Sequence, residues 1–79
     1  MFNELDMVVL TKEVARSGLK RGDIGAVVHC YESGEAFEVE FVTGRGDTIG
    51  VFTLEEVDIR PIGEREVLHA RELQQVAFG

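Results

Sequence analysis

Residues 35–42 read EAFEVEFV, and their alternation decides the fold. Phe37, Val39 and Phe41 hold one parity, Glu38 and Glu40 the other. Successive side chains of a strand point to opposite faces, so this pattern predicts a strand with its apolar face on a core and its carboxylates in water. Upstream, ESGEA predicts a turn with Gly34 at its tip. It is preceded by IGAVVHCY, Ile24 to Tyr31, a second strand whose Gly25 signals a bulge or a close backbone approach. Downstream, TGRGDT predicts a hairpin connection with Gly44 and Gly46 at the strained positions. TIGVFTL, Thr48 to Leu54, forms a fourth strand bent at Gly50.

The remaining elements follow outward from this centre. LDMVVLTK, Leu5 to Lys12, is a first strand with apolar residues on both faces. EVARSGLKRGD is a long loop in which Gly18 and Gly22 supply positive φ. LEEVD makes one turn of 3₁₀ helix, and DIRPI, Asp58 to Ile62, a fifth strand that Pro61 confines to an edge. Five short strands separated by Gly-containing turns predict an all-β fold. The long first loop and the helical turn before the last strand match a small five-stranded SH3-like barrel over residues 1–62. Closure of the sheet would limit exposed strand edges.

The tail, GEREVLHARELQQVAFG over residues 63–79, is of another kind. Good helix formers fill it, acids lead it, and Ala70, Leu73 and Ala77 share a helical stripe. A C-terminal helix is expected. About 14 residues of helix are marginal alone, so it should pack on the barrel, pack on a second subunit or stay partly disordered.

Charge narrows the function. Fifteen acids against eight bases give −7, and residues 1–62 alone carry twelve acids and six bases, or −6. Nucleic-acid binding draws on phosphate neutralisation by Lys and Arg, which an acidic body works against. Cys30 is the one cysteine, so an internal disulfide is excluded and a reducing, cytoplasmic setting is favoured. There is no run of about 18 apolar residues to span a membrane, and the acidic N-terminus does not read as a signal peptide.

KRGDIGAVV, Lys20 to Val28, resembles the KOW-type motif of SH3-like barrels in transcription and ribosomal proteins. A wider set of segments, MFNELDMVVLT, GLKRGDIGAVVH, EAFEVEFV, TLEEVDIRP and EVLHARELQ, is together similar to a family of small stand-alone bacterial proteins catalogued only as a domain of unknown function with an SH3-like fold. The resemblance implies a bacterial, cytoplasmic protein, with relatives in mobile or accessory gene neighbourhoods. It brings no catalytic residues.

The residues themselves offer little chemistry. His29 and Cys30 are adjacent in a strand, face opposite ways and cannot easily share one ion, and a structural zinc site wants four ligands. Cys30 reads as a small buried hydrophobe. GLKRGDIG lacks the Lys-Ser/Thr end of a phosphate-binding loop. The paired acids Glu38 and Glu40, and Glu55 and Glu56, read as solvated faces, and Arg45 to Asp47 as a turn. No cofactor, no metal and no enzymatic activity are expected. What remains is an acidic hairpin face, with Glu32, Glu35, Glu38 and Glu40, and an apolar tail, with Val67, Leu68, Leu73, Val76 and Phe78. These predict a protein–protein interaction module whose contacts include Glu38, Glu40, Val67, Leu68, Leu73 and Phe78. Its partner would be a second copy or another, basic protein, as in an antitoxin, immunity or adaptor role. The alternative is a nucleic-acid- or ribosome-associated module using the basic loop 16–22 through Arg16, Lys20 and Arg21.

Overall fold

The computed structural model describes residues 2–14 and 17–73. Five strands run through it: β1 (Met7–Leu10), β2 (Ile24–Cys30), β3 (Ala36–Val42), β4 (Thr48–Glu55) and β5 (Ile59–Pro61), with a 3₁₀ turn at Glu56–Asp58. They form one antiparallel sheet in the order β4-β3-β2-β1-β5. The fold is therefore all-β, and no helix among the described residues is long and apolar enough to cross a membrane.

The alternation of β3 sets the interior. Phe37, Val39 and Phe41 are fully buried or nearly so, and Val8, Leu10, Val27, Leu54 and Ile59 join them, so each strand contributes to one cluster. Leu19, from the loop between β1 and β2, completes it. Phe2 packs its ring edge-on to Phe37 at 5.4 Å, and Cys30 lies half-buried against the same cluster with its thiol directed at the Phe2 carbonyl, 3.4 Å away. Gly25 is where β2 closes on β3. A Cβ there would stand 2.8 Å from both Phe41 and Val39 side chains and 2.9 Å from the Glu40 carbonyl oxygen. Glycine is needed for that approach, while the bulge of β2 lies further along, between Val27 and His29.

Two expectations are corrected. The sheet is not a closed barrel: β4 and β5 are its two edges. β5 is three residues long, ends at Pro61, which has no N–H, and pairs only with β1. The N–H of Glu55, the last residue of β4, is taken by the Asp58 carboxylate at 3.0 Å. The C-terminal helix is also missing from the described part of the tail. A first turn begins, with the Glu66 N–H on the Gly63 carbonyl at 3.1 Å and the Glu66 carboxylate on the Gly63 N–H at 2.5 Å. It goes no further, because Arg60 grips Glu66 from the body and Arg71 is drawn to the β1–β2 loop. An isolated helix of this length has little intrinsic stability to set against such anchors. Ala77 and the rest of 74–79 lie outside the described residues.

Phe37→Ala is expected to lower stability by about 3–5 kcal/mol, and Gly25→Ala by about 1–3 kcal/mol through overpacking. Urea unfolding followed by circular dichroism measures both. A wild-type midpoint in Gly25→Ala would show that the β2–β3 approach is not tight.

Candidate partner-binding surfaces

The parity that buries Phe37 places Glu38 and Glu40 on the outer face of the sheet. Glu38 stands opposite His29 of β2 and Thr53 of β4, and Glu40 opposite Ala26 and Val51. The Glu38 carboxylate accepts hydrogen bonds from the Thr53 hydroxyl at 2.6 Å and from the Tyr31 hydroxyl. Those bonds, Thr53 first and Tyr31 second, hold its pKa below the usual carboxylate value, and Tyr31 is correspondingly raised by Glu38. Glu40 accepts the Thr48 hydroxyl at 2.9 Å. Around the two acids, Tyr31, Val42 and Val51 are exposed by 40–51%. The outer face is thus a mixed patch of fixed carboxylates and apolar side chains, and Glu32 and Glu35 lie exposed in the β2–β3 turn beside it.

A second surface forms where the tail crosses the body. The turn Lys20–Asp23 closes with the Asp23 N–H on the Lys20 carbonyl and the Lys20 N–H on the Asp23 carboxylate, 3.0 and 2.8 Å. Gly22, at φ +96°, sits inside it, a conformation that favours glycine. The Gly-Asp of the KOW-like stretch is therefore turn chemistry. Arg71 reaches the same carboxylate from 48 residues away, with Nε 2.8 Å from Oδ1 and a second bond from the guanidinium to Oδ2, and it also donates to the Gly18 carbonyl at 3.0 Å. Burial pushes the Asp23 carboxyl up, but the Arg71 bond, the Lys20 N–H and the two positive charges outweigh it and hold its pKa low. Nearer the sheet, Arg60 forks onto Glu66 with two bonds of 2.7 Å. With the Gly63 N–H, that fork brings Glu66 down to about 2.

Between residues 63–73, which form a C-terminal strap, and the body lies an open cavity of about 290 Å³. Leu19, Ile24, Phe41 and Ile49 supply its apolar lining, Val42, Thr43 and Gly44 one rim, and His69 to Arg71 with Leu73 the other. Among the described residues no group of three His, Cys, Asp or Glu side chains is placed to hold a metal ion.

The expected contact residues fall on different elements. Glu38 and Glu40 belong to the sheet, Val67 and Leu68 are 89% and 68% exposed on the strap, and Leu73 turns to the cavity. Phe78 and Val76 lie outside the described residues, as does Arg16. Lys20 and Arg21 are exposed at the tip of the turn that Asp23 closes. Sequence reasoning missed the Asp23–Arg71 and Arg60–Glu66 pairs. Only the Gly-Asp turn signalled Asp23, and no spacing signalled Arg71.

These features define a small, single-sheet β domain with an acidic outer face and a C-terminal strap. The family model described as "Domain of unknown function (DUF4926)" matches residues 4–61, and the chain belongs to that family. The matched segment ends with β5. Comparison with curated proteins and with solved structures finds no match.

The strap anchors are acid-sensitive. Folded-state carboxyls held below their ordinary values contribute stability above the unfolded pKa and lose it as pH falls through the folded one. For Glu66 that window runs from 4.5 down to about 2, and for Asp23 it lies below 3.8. The Arg71 Nε–H chemical shift should stay constant from pH 7 to pH 5 and move towards that of a free guanidinium below pH 3.8, before the β3 amides shift. An Arg71 shift that does not move as the Asp23 carboxyl titrates would contradict the anchor.

Proposed function

We propose that this protein is a non-enzymatic protein–protein interaction module that presents the outer face of β2, β3 and β4 to a basic partner. The observation that carries the reading is the placement of Glu38 and Glu40. Their carboxylates are fixed by Tyr31, Thr53 and Thr48 and flanked by half-exposed Tyr31, Val42 and Val51. Pre-positioned charges beside apolar surface suit recognition, since little side-chain entropy is left to lose on binding. A body charge of −6 over residues 1–62 would also speed encounter with a cationic protein.

The long β1–β2 loop, the 3₁₀ turn before β5 and the strand order support an SH3-like scaffold. On this reading, the concave side is filled by the scaffold's own core and the convex side is left for contacts. A cytoplasmic bacterial setting, and an antitoxin, immunity or accessory adaptor role, are concrete versions of it. A basic site on a toxin is a surface such an acidic domain could cover. The exposed Val67 and Leu68 of the strap extend the contact area in this scheme.

Affinity capture at about 50 mM salt, where charge contacts are little screened, tests the proposal. Wild-type protein should recover partners that the Glu38→Lys/Glu40→Lys variant loses, with the far-ultraviolet circular dichroism of the two unchanged. Equal recovery by both would overturn the assignment of the outer face.

A further inference from the structure

The open edge of β4 lies beside this acidic face, and its backbone has a definite polarity. The Glu56 N–H donates to the Glu35 carbonyl at 3.2 Å, and on the other side of β3 the Tyr31 N–H donates to the Ala36 carbonyl at 3.1 Å. Hydrogen-bonded and non-hydrogen-bonded pairs alternate along an antiparallel ladder. The pairs Phe37–Leu54, Val39–Phe52 and Phe41–Gly50 are therefore the bonded ones, and Ala36–Glu55, Glu38–Thr53 and Glu40–Val51 are not. The N–H and C=O of Val51, Thr53 and Glu55 consequently point away from β3. Asp58 takes the Glu55 N–H at 3.0 Å. Val51 and Thr53 remain, with no backbone partner among the described residues.

Edges of this kind are usually blunted by lysine, proline or shortness. β5 follows that rule, with three residues and Pro61. β4 does not: it has eight residues, TIGVFTLE, with neither Lys nor Pro. Acids surround it instead, with Asp47 at one end, Glu55 and Glu56 at the other, and Glu38 and Glu40 one strand in. The bases at its two ends are themselves paired, Arg45 with Asp47 at 3.9 Å and Lys12 with Asp58 at 3.2 Å. Acids repel a second acidic edge and attract a basic one.

We infer that β4 accepts an extended basic segment of a partner protein as a sixth, antiparallel strand, bonded through the backbones of Val51 and Thr53. This rests on the interaction-module reading and specifies its mode. Residues directly opposite in an antiparallel ladder share a face. Partner residues facing Val51 and Thr53 therefore project over the outer side of the sheet. A lysine there lays its methylene stem on half-exposed Val51, about 5 Å away, and extends its ammonium towards Glu40, about 10 Å from the new strand. The intervening residues turn to the Phe52 side. The expected consensus is thus a basic residue at every second position, with those residues' own N–H groups making the bonds.

The probe is an acetylated, amidated peptide of four Lys-Val repeats, titrated into the full chain labelled with ¹⁵N. Shifts and slowed amide exchange should concentrate at Val51 and Thr53. N-methylation of the lysine nitrogens should weaken binding by about tenfold or more, while N-methylation of the valine nitrogens leaves it unchanged. Glu38→Gln/Glu40→Gln should weaken it too, and a Glu-Val peptide should not bind. Val51→Pro removes one outward N–H and should abolish the protection, and the N-methylated peptides give the same answer should that variant not fold. Loss of binding on methylating either set, or no protection at β4, overturns strand addition. If glutamate dependence persists in that case, the outer-face reading survives, and if it vanishes as well, both fall. A concentration-dependent dimer of the free chain that Val51→Pro dissolves would also overturn the inference, giving the edge to a second copy.

Discussion

The structure depends on how β3 places two phenylalanines and a valine against β2. Phe37, Val39 and Phe41 are the centre of the buried cluster, and every other strand contributes residues that touch that same interior. At Gly25 the strands β2 and β3 approach so closely that any side chain would run into Val39, Phe41 and the Glu40 carbonyl. The same residues that drive burial thereby require glycine at position 25. The outer face is a consequence: with period two, committing three residues inward commits Glu38 and Glu40 outward.

The acidic face and the strap are stabilised differently. On the sheet, the carboxylates are held by neutral hydroxyls of neighbouring strands, so their negative charge stays available. Along the strap, carboxylates are matched to guanidinium groups, which neutralises them locally. Surface pairs of that kind contribute modestly to stability, and their role here is to set the path of residues 63–71. An acidic surface offered to solvent and a charge-matched tether thus coexist in one small chain.

Much of the fold was legible in the sequence because it is written in local signals. The parity of residues 37–41, the turn residues around Gly34 and Gly46, the 3₁₀ turn and the edge position implied by Pro61 all act over a few residues. Strand ends slipped by one or two residues: β1 spans Met7–Leu10 and not Leu5–Lys12. Closure was misjudged because it depends on whether β4 and β5 meet, which no local pattern encodes. The tail misled for a related reason. Its composition favours a helix, but Arg60 and Arg71 find carboxylates that hold the described part in another course. In the candidate site, Glu38 and Glu40 were legible from parity alone. Their hydroxyl partners, the unpaired backbone of β4 and the Asp23–Arg71 pair were not, since each rests on register or on contacts across 7 to 48 residues.

The position of β1 has one more implication. It lies between β2 and β5, so one of its sides pairs with a neighbour early in the chain and the other with the last strand. The Thr11 hydroxyl bonds the Val57 carbonyl at 2.8 Å, and Lys12 pairs with the buried Asp58 at 3.2 Å, joining the same distant segments. During synthesis from the N-terminus, β2, β3 and β4 can zip as consecutive hairpins, while β1 keeps a bare flank until residue 61 has left the ribosome. Until then the nascent chain carries an unfinished seam along β1, which pairing with β5 seals.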